Sequence, residues 1–114
     1  DSLGVALKDG GQFDEALHLF EAARLKRPED PFVWRQVGYV NGLMGRSEPM
    51  IAALEQSLRL DPKQARVWRA LLEGYHAAGR PADVRRAYAK LLELDPGQAE
   101  RAYHDYLLPF EAGR

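Results

Sequence analysis

The chain has 114 residues, 46% hydrophobic and 29% charged, with 16 basic against 17 acidic side chains and a net charge of −1. That length suits one compact domain and that balance excludes a disordered chain, while near-neutrality excludes a global field drawing it to nucleic acid or an anionic membrane. Cysteine is absent, which excludes disulfides and thiolate chemistry and leaves cytosol and periplasm equally open.

Threonine is missing and Ile51 is the only isoleucine, so leucine and alanine set the local preference, which is helical. A first helix is predicted over roughly Ser2 to Lys8, ending at Asp9-Gly10-Gly11, where glycine takes the left-handed conformation that closes a helix. A second covers about Phe13 to Lys26, with Phe13, Ala16, Leu17, Phe20 and Ala23 on one stripe, and stops at Pro28. Pro31 suits the first turn of a third helix, which reaches about Met44 and is closed by Gly45. Ser47 is expected to cap a fourth, with Pro49 in its first turn and Met50, Ile51, Leu54, Leu58 and Leu60 as apolar contacts up to Asp61-Pro62. A fifth and a sixth are predicted over about Gln64 to Ala78 and Pro81 to Leu94. The last begins near Gln98 and breaks at or before Leu108, because Pro109 disfavours helical geometry in the residue ahead of it.

These segments repeat. Trp34 and Trp68 stand 34 residues apart, and the same step links Gly11, Gly45 and Gly79, then Pro28, Pro62 and Pro96. The residue eight before each of those prolines is Phe20, Leu54 and Tyr88. This period and these landmarks resemble the tetratricopeptide repeat (TPR), a helix-turn-helix unit of 34 residues. In the third unit Trp68, Leu71, Tyr75, Gly79, Val84, Tyr88 and Pro96 fall on the family's positions, with Leu72 where a small glycine is usual. In the second, Trp34, Val37, Gly38, Gly45, Leu54 and Pro62 match, with Asn41 for the tyrosine and Met50 for the alanine. In the first, Leu3, Gly4, Gly11, Ala16, Phe20, Ala23 and Pro28 match, and the tryptophan position falls just before Asp1, as expected of a fragment of a longer protein.

The resemblance implies an all-α fold, a right-handed superhelix (α-solenoid) of antiparallel helix pairs, with three TPR units plus a C-terminal helix. The frame gives a truncated repeat 1 over 1–30, repeat 2 over 31–64, repeat 3 over 65–98, and a capping helix or the start of a fourth repeat over 99–114, all in one domain. Each pair has apolar faces on both sides and buries them only by stacking. Trp34 and Trp68 are expected in the core between the helices of their own pairs.

Catalytic constellations are missing. His18, His76 and His104 lie in different units and lack the i, i+4 pairing of a helical metal site. Ser2, Ser47 and Ser57 lie outside any G-x-S-x-G context, and Gly10-Gly11 lacks the lysine of a phosphate loop. No enzyme activity, cofactor or metal is expected. No stretch approaches the about 18 consecutive apolar residues of a membrane span, so no direct membrane insertion is expected of this segment.

In the family the first helix of each pair lines a concave groove that takes a peptide or a helix. Carried over, the groove residues are Phe32, Arg35, Gln36 and Tyr39, then Arg66, Arg69, Glu73 and His76, with Tyr103, Leu107 and Phe110 continuing the wall. Arginine clamps carboxylates bidentately and tyrosine contributes area at low entropy cost, which points to an acidic or C-terminal peptide. Alternatively Arg69 and Glu73 are only an exposed i, i+4 pair. Arg66 and Gln36 also occupy two of five positions of the family's chaperone-tail clamp, but Asp1, Val5 and Ala70 fill the others and do not fit, so that ligand is not expected. The function implied is a protein-interaction scaffold within a larger bacterial protein of envelope assembly, secretion or polysaccharide export, in cytoplasm or periplasm. The competing reading is a spacer or self-association module, forming a homo-oligomer through exposed solenoid ends. An excess of arginine over lysine, common in GC-rich bacterial genomes, agrees with the bacterial assignment.

Overall fold

Leucine- and alanine-rich segments punctuated by glycine and proline become seven α-helices in the computed structural model, which describes residues 2–108. They are α1 (Ser2–Asp9), α2 (Phe13–Lys26), α3 (Pro31–Leu43), α4 (Ser47–Leu60), α5 (Ala65–Ala77), α6 (Pro81–Leu94) and α7 (Pro96–Ala102), the last continuing into a π-helical turn over Tyr103–Leu107. No strand occurs among the described residues. The helices fall into two compact units that divide between Pro62 and Lys63.

The turn inside each helix pair is set by Gly11, Gly45 and Gly79, whose φ values of 83°, 76° and 70° are left-handed. That conformation is costly for any residue with a Cβ. The preceding helix closes by the same pattern each time: the amide after the glycine, on Gln12, Arg46 and Arg80, donates to the carbonyl of Leu7, Asn41 and Tyr75 at 2.8, 2.9 and 2.9 Å.

In the first unit α1 packs on α2, α2 on α3 and α3 on α4. Ala16 and Phe20 of α2 are fully buried with Val37 and Val40 of α3 and Ala53 of α4, and Val5, Leu7, Phe13, Leu17, Trp34 and Met44 pack around them. The pairs close tightly because small residues face large ones: a Cβ on Gly4 would stand 2.6 Å from Phe20, and one on Gly38 the same distance from Leu54. Ser57 Oγ, fully buried, donates to the Pro31 carbonyl at 2.8 Å and ties α4 to the start of α3.

In the second unit α5 packs on α6, and α7 packs on both. Tyr75 is fully buried and Trp68 is 7% exposed. Leu72 stands where the other pairs carry glycine, and its side chain is fully buried. Tyr88, at the equivalent of Phe20 and Leu54, is only half-buried, and its ring lies 5.9 Å from that of Tyr103.

Three expectations are corrected. Ser47 does not cap α4. It is the first helical residue, and the capping position belongs to Arg46, which makes no side-chain cap. Side-chain caps come from aspartate: Asp30 accepts from the Phe32 amide at 2.9 Å, and Asp95 from the Gln98 amide at 3.2 Å. Trp34 is not enclosed in its own pair. It is half-buried, its Nε1 donates to the Pro28 carbonyl at 2.7 Å, and the Arg24 guanidinium lies 5.1 Å from its ring. Finally, α7 begins at Pro96, two residues before the expected Gln98, because Asp95 ends α6 and caps α7 at once. Helical geometry runs through Leu108. Pro109 and Phe110 lie outside the described residues.

Candidate partner-binding faces

In the first unit the site begins with the Asp30 cap and Pro31, which fix where α3 starts and hence which side chains share its α1-facing side. Gln36 is buried and accepts a hydrogen bond from Lys8 Nζ at 3.0 Å. The same ammonium stands 5.4 Å from the Tyr39 ring, so one cation of α1 organises two predicted positions of α3. Arg35 lies over the Phe32 ring at 5.0 Å. Next to Phe32 a depression of about 400 Å³ opens, lined by Ser2, Val5, Ala6, Asp9 and Phe32. Phe32, Arg35, Gln36 and Tyr39 are thus brought together with α1.

In the second unit Arg66 and His76 are exposed, while Arg69 and Glu73 are half-buried on α5. The terminal segment meets this row. The Tyr106 hydroxyl donates to Glu73 Oε1, and the Tyr106 ring lies edge-on to His76 at 5.2 Å. Burial first, then the bond to Glu73, push the Tyr106 hydroxyl up to about 12. Arg69 reaches Asp105 at only 3.9 Å, and its buried Nε has no hydrogen-bond partner among the described residues. Tyr103, placed on the same wall by the repeat frame, packs its ring against Tyr88 of α6 and His104.

Sequence reasoning passed over Ser2, Lys8 and Asp9 in the first unit, weighed Val5 only as a clamp position that does not fit, and grouped Tyr106 with the terminal aromatics without pairing it to Glu73. Ser2 was findable, because Ser2 and Val5 stand one period before Gln36 and Tyr39. The Tyr106–Glu73 pairing was not, since the frame aligns Tyr106 with buried Leu72. The π turn, with its i→i+5 bonds, breaks the helical spacing on which that frame depends.

A second arginine cluster lies beside the α5–α6 turn. Arg86 donates to the Tyr75 hydroxyl at 2.9 Å and to Asp83 at 3.2 Å, and Arg80 contacts Asp83 at 2.8 Å. Hydrogen bonds from Arg86 and Arg80 hold the Asp83 carboxyl below its usual range. Each group there is engaged within the unit. Among the described residues no three histidine, aspartate or glutamate side chains form a metal-binding group, and no helix is long and apolar enough to cross a membrane.

No protein-family model matches the chain. A stretch of 71 residues, 62% of this chain, is 32% identical to the peroxisomal targeting signal receptor of Saccharomyces cerevisiae, of whose length it covers 12%. Among solved structures, MamA is 26% identical over 82% of this chain and 55% of its own, with a TM-score of 0.76. The first TPR of Spaghetti (RPAP3), bound to the HSP90 peptide SRMEEVD, reaches a TM-score of 0.89 over 96% of this chain and 89% of its own, at 13% identity. The chain thus spans a small part of the receptor and about half of MamA, and these likenesses show an all-α fold of TPR helix pairs.

Proposed function

Because this chain is built of tetratricopeptide repeats, we propose that it is a protein-interaction scaffold whose first-helix faces dock an acidic or C-terminal peptide of a partner protein. The observation that carries this reading is the arginine pair of α5: Arg66 is exposed, and half-buried Arg69, 3.9 Å from Asp105 and beside the Tyr106 hydroxyl, lies one turn away. The planar N–H fork of an exposed arginine is suited to a bidentate carboxylate.

The chemistry is docking, without covalent steps. Support also comes from relatives: the yeast protein is by name a receptor for a targeting signal, and the Spaghetti repeat was captured with a peptide. By analogy with the family alone, the host is a bacterial protein of envelope assembly, secretion or polysaccharide export.

The test is fluorescence anisotropy with a labelled acidic peptide carrying a free C-terminal carboxylate, against the wild type, Arg66→Glu and Arg66→Glu/Arg69→Glu. Losing one charge-assisted contact weakens binding by roughly tenfold or more. Undiminished affinity in both variants, with unchanged helical circular dichroism, contradicts the reading. Arg66→Glu is the cleaner variant because Arg66 is exposed.

A further inference from the structure

The π turn of Tyr103–Leu107 departs from the repeat that precedes it. One, two and three periods before Tyr106 stand Leu72, Gly38 and Gly4, and all three are buried. Gly38 and Gly4 face the second helix of their own pairs, against Leu54 and Phe20. Tyr106 does not follow them. Its hydroxyl donates to Glu73 of α5, and its ring meets His76 of α5 edge-on at 5.2 Å. The same turn brings the Asp105 carboxylate to 3.9 Å from the Arg69 guanidinium. Two consecutive residues of one turn thus engage Arg69, Glu73 and His76, three members of the α5 row.

Resting on the reading of Arg66 and Arg69 as the pair that takes the peptide's carboxylate, we propose that the π turn is an autoinhibitory latch. Asp105 stands in for that carboxylate at Arg69, and the incoming peptide displaces it. The contact has the character of a latch. The Asp105 side chain is 58% exposed and reaches Arg69 only at 3.9 Å, and an exposed ion pair holds weakly, so a bidentate carboxylate outcompetes it. A π turn is also a local departure from the α-helical ladder. Continuing the α7 spacing through the same five residues returns Tyr106 to the repeat position of Leu72, which takes its hydroxyl away from Glu73 and Asp105 away from Arg69. The two registers therefore differ in whether the α5 row is occupied. A ligand that binds only the open register works against the closed one, and its apparent affinity is reduced by the fraction of molecules that are closed.

The labelled acidic peptide with a free C-terminal carboxylate is titrated by anisotropy into the full chain, Asp105→Asn and Tyr106→Phe, with helical circular dichroism confirming that each is folded. Both variants are expected to bind about two- to fivefold more tightly than the wild type. Tyr106→Phe leaves the net charge unchanged, so its gain separates release of the latch from removal of a repelling carboxylate. Hydrogen exchange at residues 103–107 should quicken when the wild type is saturated with peptide. A gain in Asp105→Asn alone assigns the effect to charge and overturns the latch. Unchanged or weaker affinity in both variants overturns it too, as does exchange at 103–107 that slows on binding. The two readings fail separately: weaker binding by Arg66→Glu without a gain in either latch variant keeps the carboxylate reading and removes the latch. Undiminished binding by Arg66→Glu removes the carboxylate reading itself, and absence of binding in the wild type and both latch variants removes both.

Discussion

Gly38 and Leu54 pack so closely that a Cβ on the glycine would stand 2.6 Å from both Cγ and Cδ2 of the leucine. The α3–α4 pair therefore closes on the absence of a side chain. Gly38→Ala is expected to lower stability by about 1–3 kcal/mol through overpacking, measured by thermal or denaturant unfolding. Gly97→Ala is the matched control. Its Cβ would meet Asp95 Oδ1 at 3.5 Å, an ordinary contact, in the first turn of α7. It should be neutral or stabilise by about 0.5–1 kcal/mol.

The two tryptophans that mark the repeat are predicted to differ. Trp68 is buried, and Trp68→Ala should cost about 3–5 kcal/mol. Trp34 is half-buried against Pro28 and Arg24, so Trp34→Ala should cost less, roughly 1–3 kcal/mol from partial burial and one hydrogen bond. Equal losses in urea unfolding would contradict the assigned environments.

Tyr106 supplies a pH test. Burial first, and then the bond to Glu73, push its hydroxyl up to about 12, above the ordinary tyrosine value of about 10, so the folded state holds this proton more tightly. That contribution to stability is fully present below about pH 10 and is lost as pH rises towards 12. Ultraviolet titration should show one tyrosine ionising about two units late, and Glu73→Gln should bring its midpoint down. An unshifted midpoint in the wild type contradicts the hydrogen bond to Glu73.

Asp95 ends one helix and starts the next. Asp95→Ala removes its bonds to the Gln98 amide and side chain, with an expected cost of about 1 kcal/mol. Hydrogen exchange should report the loss in α7 ahead of α5.

How much of this was readable beforehand depends on what each residue's role rests upon. The turn glycines, the helix-breaking prolines and the periodic apolar stripes act locally, and they place the boundaries of α2 and α6 to the residue. The caps were less legible, because a serine with high capping preference does not fix its own register: Ser47 is the first helical residue of α4 and Arg46 takes the capping position. Trp34 shares the repeat position of Trp68 but has a different neighbourhood, with Arg24 and Pro28 of the preceding pair against it. Within the candidate site, the α3 row comes from the family resemblance, and only the α5 row is also supported by helical spacing. Lys8, which bonds Gln36 from another helix, and Tyr106, brought in by a π turn, depend on tertiary packing that spacing does not encode.

The central claim is that the first helix of each pair carries the docking surface. It is tested most directly by amide chemical-shift mapping of the isotope-labelled chain titrated with the acidic C-terminal peptide. The account predicts saturable shifts centred on Phe32, Arg35 and Tyr39 of α3 and on Arg66, Arg69 and His76 of α5, with α2, α4 and α6 little changed. Shifts centred on α2, α4 or α6, or none at millimolar peptide, would contradict it.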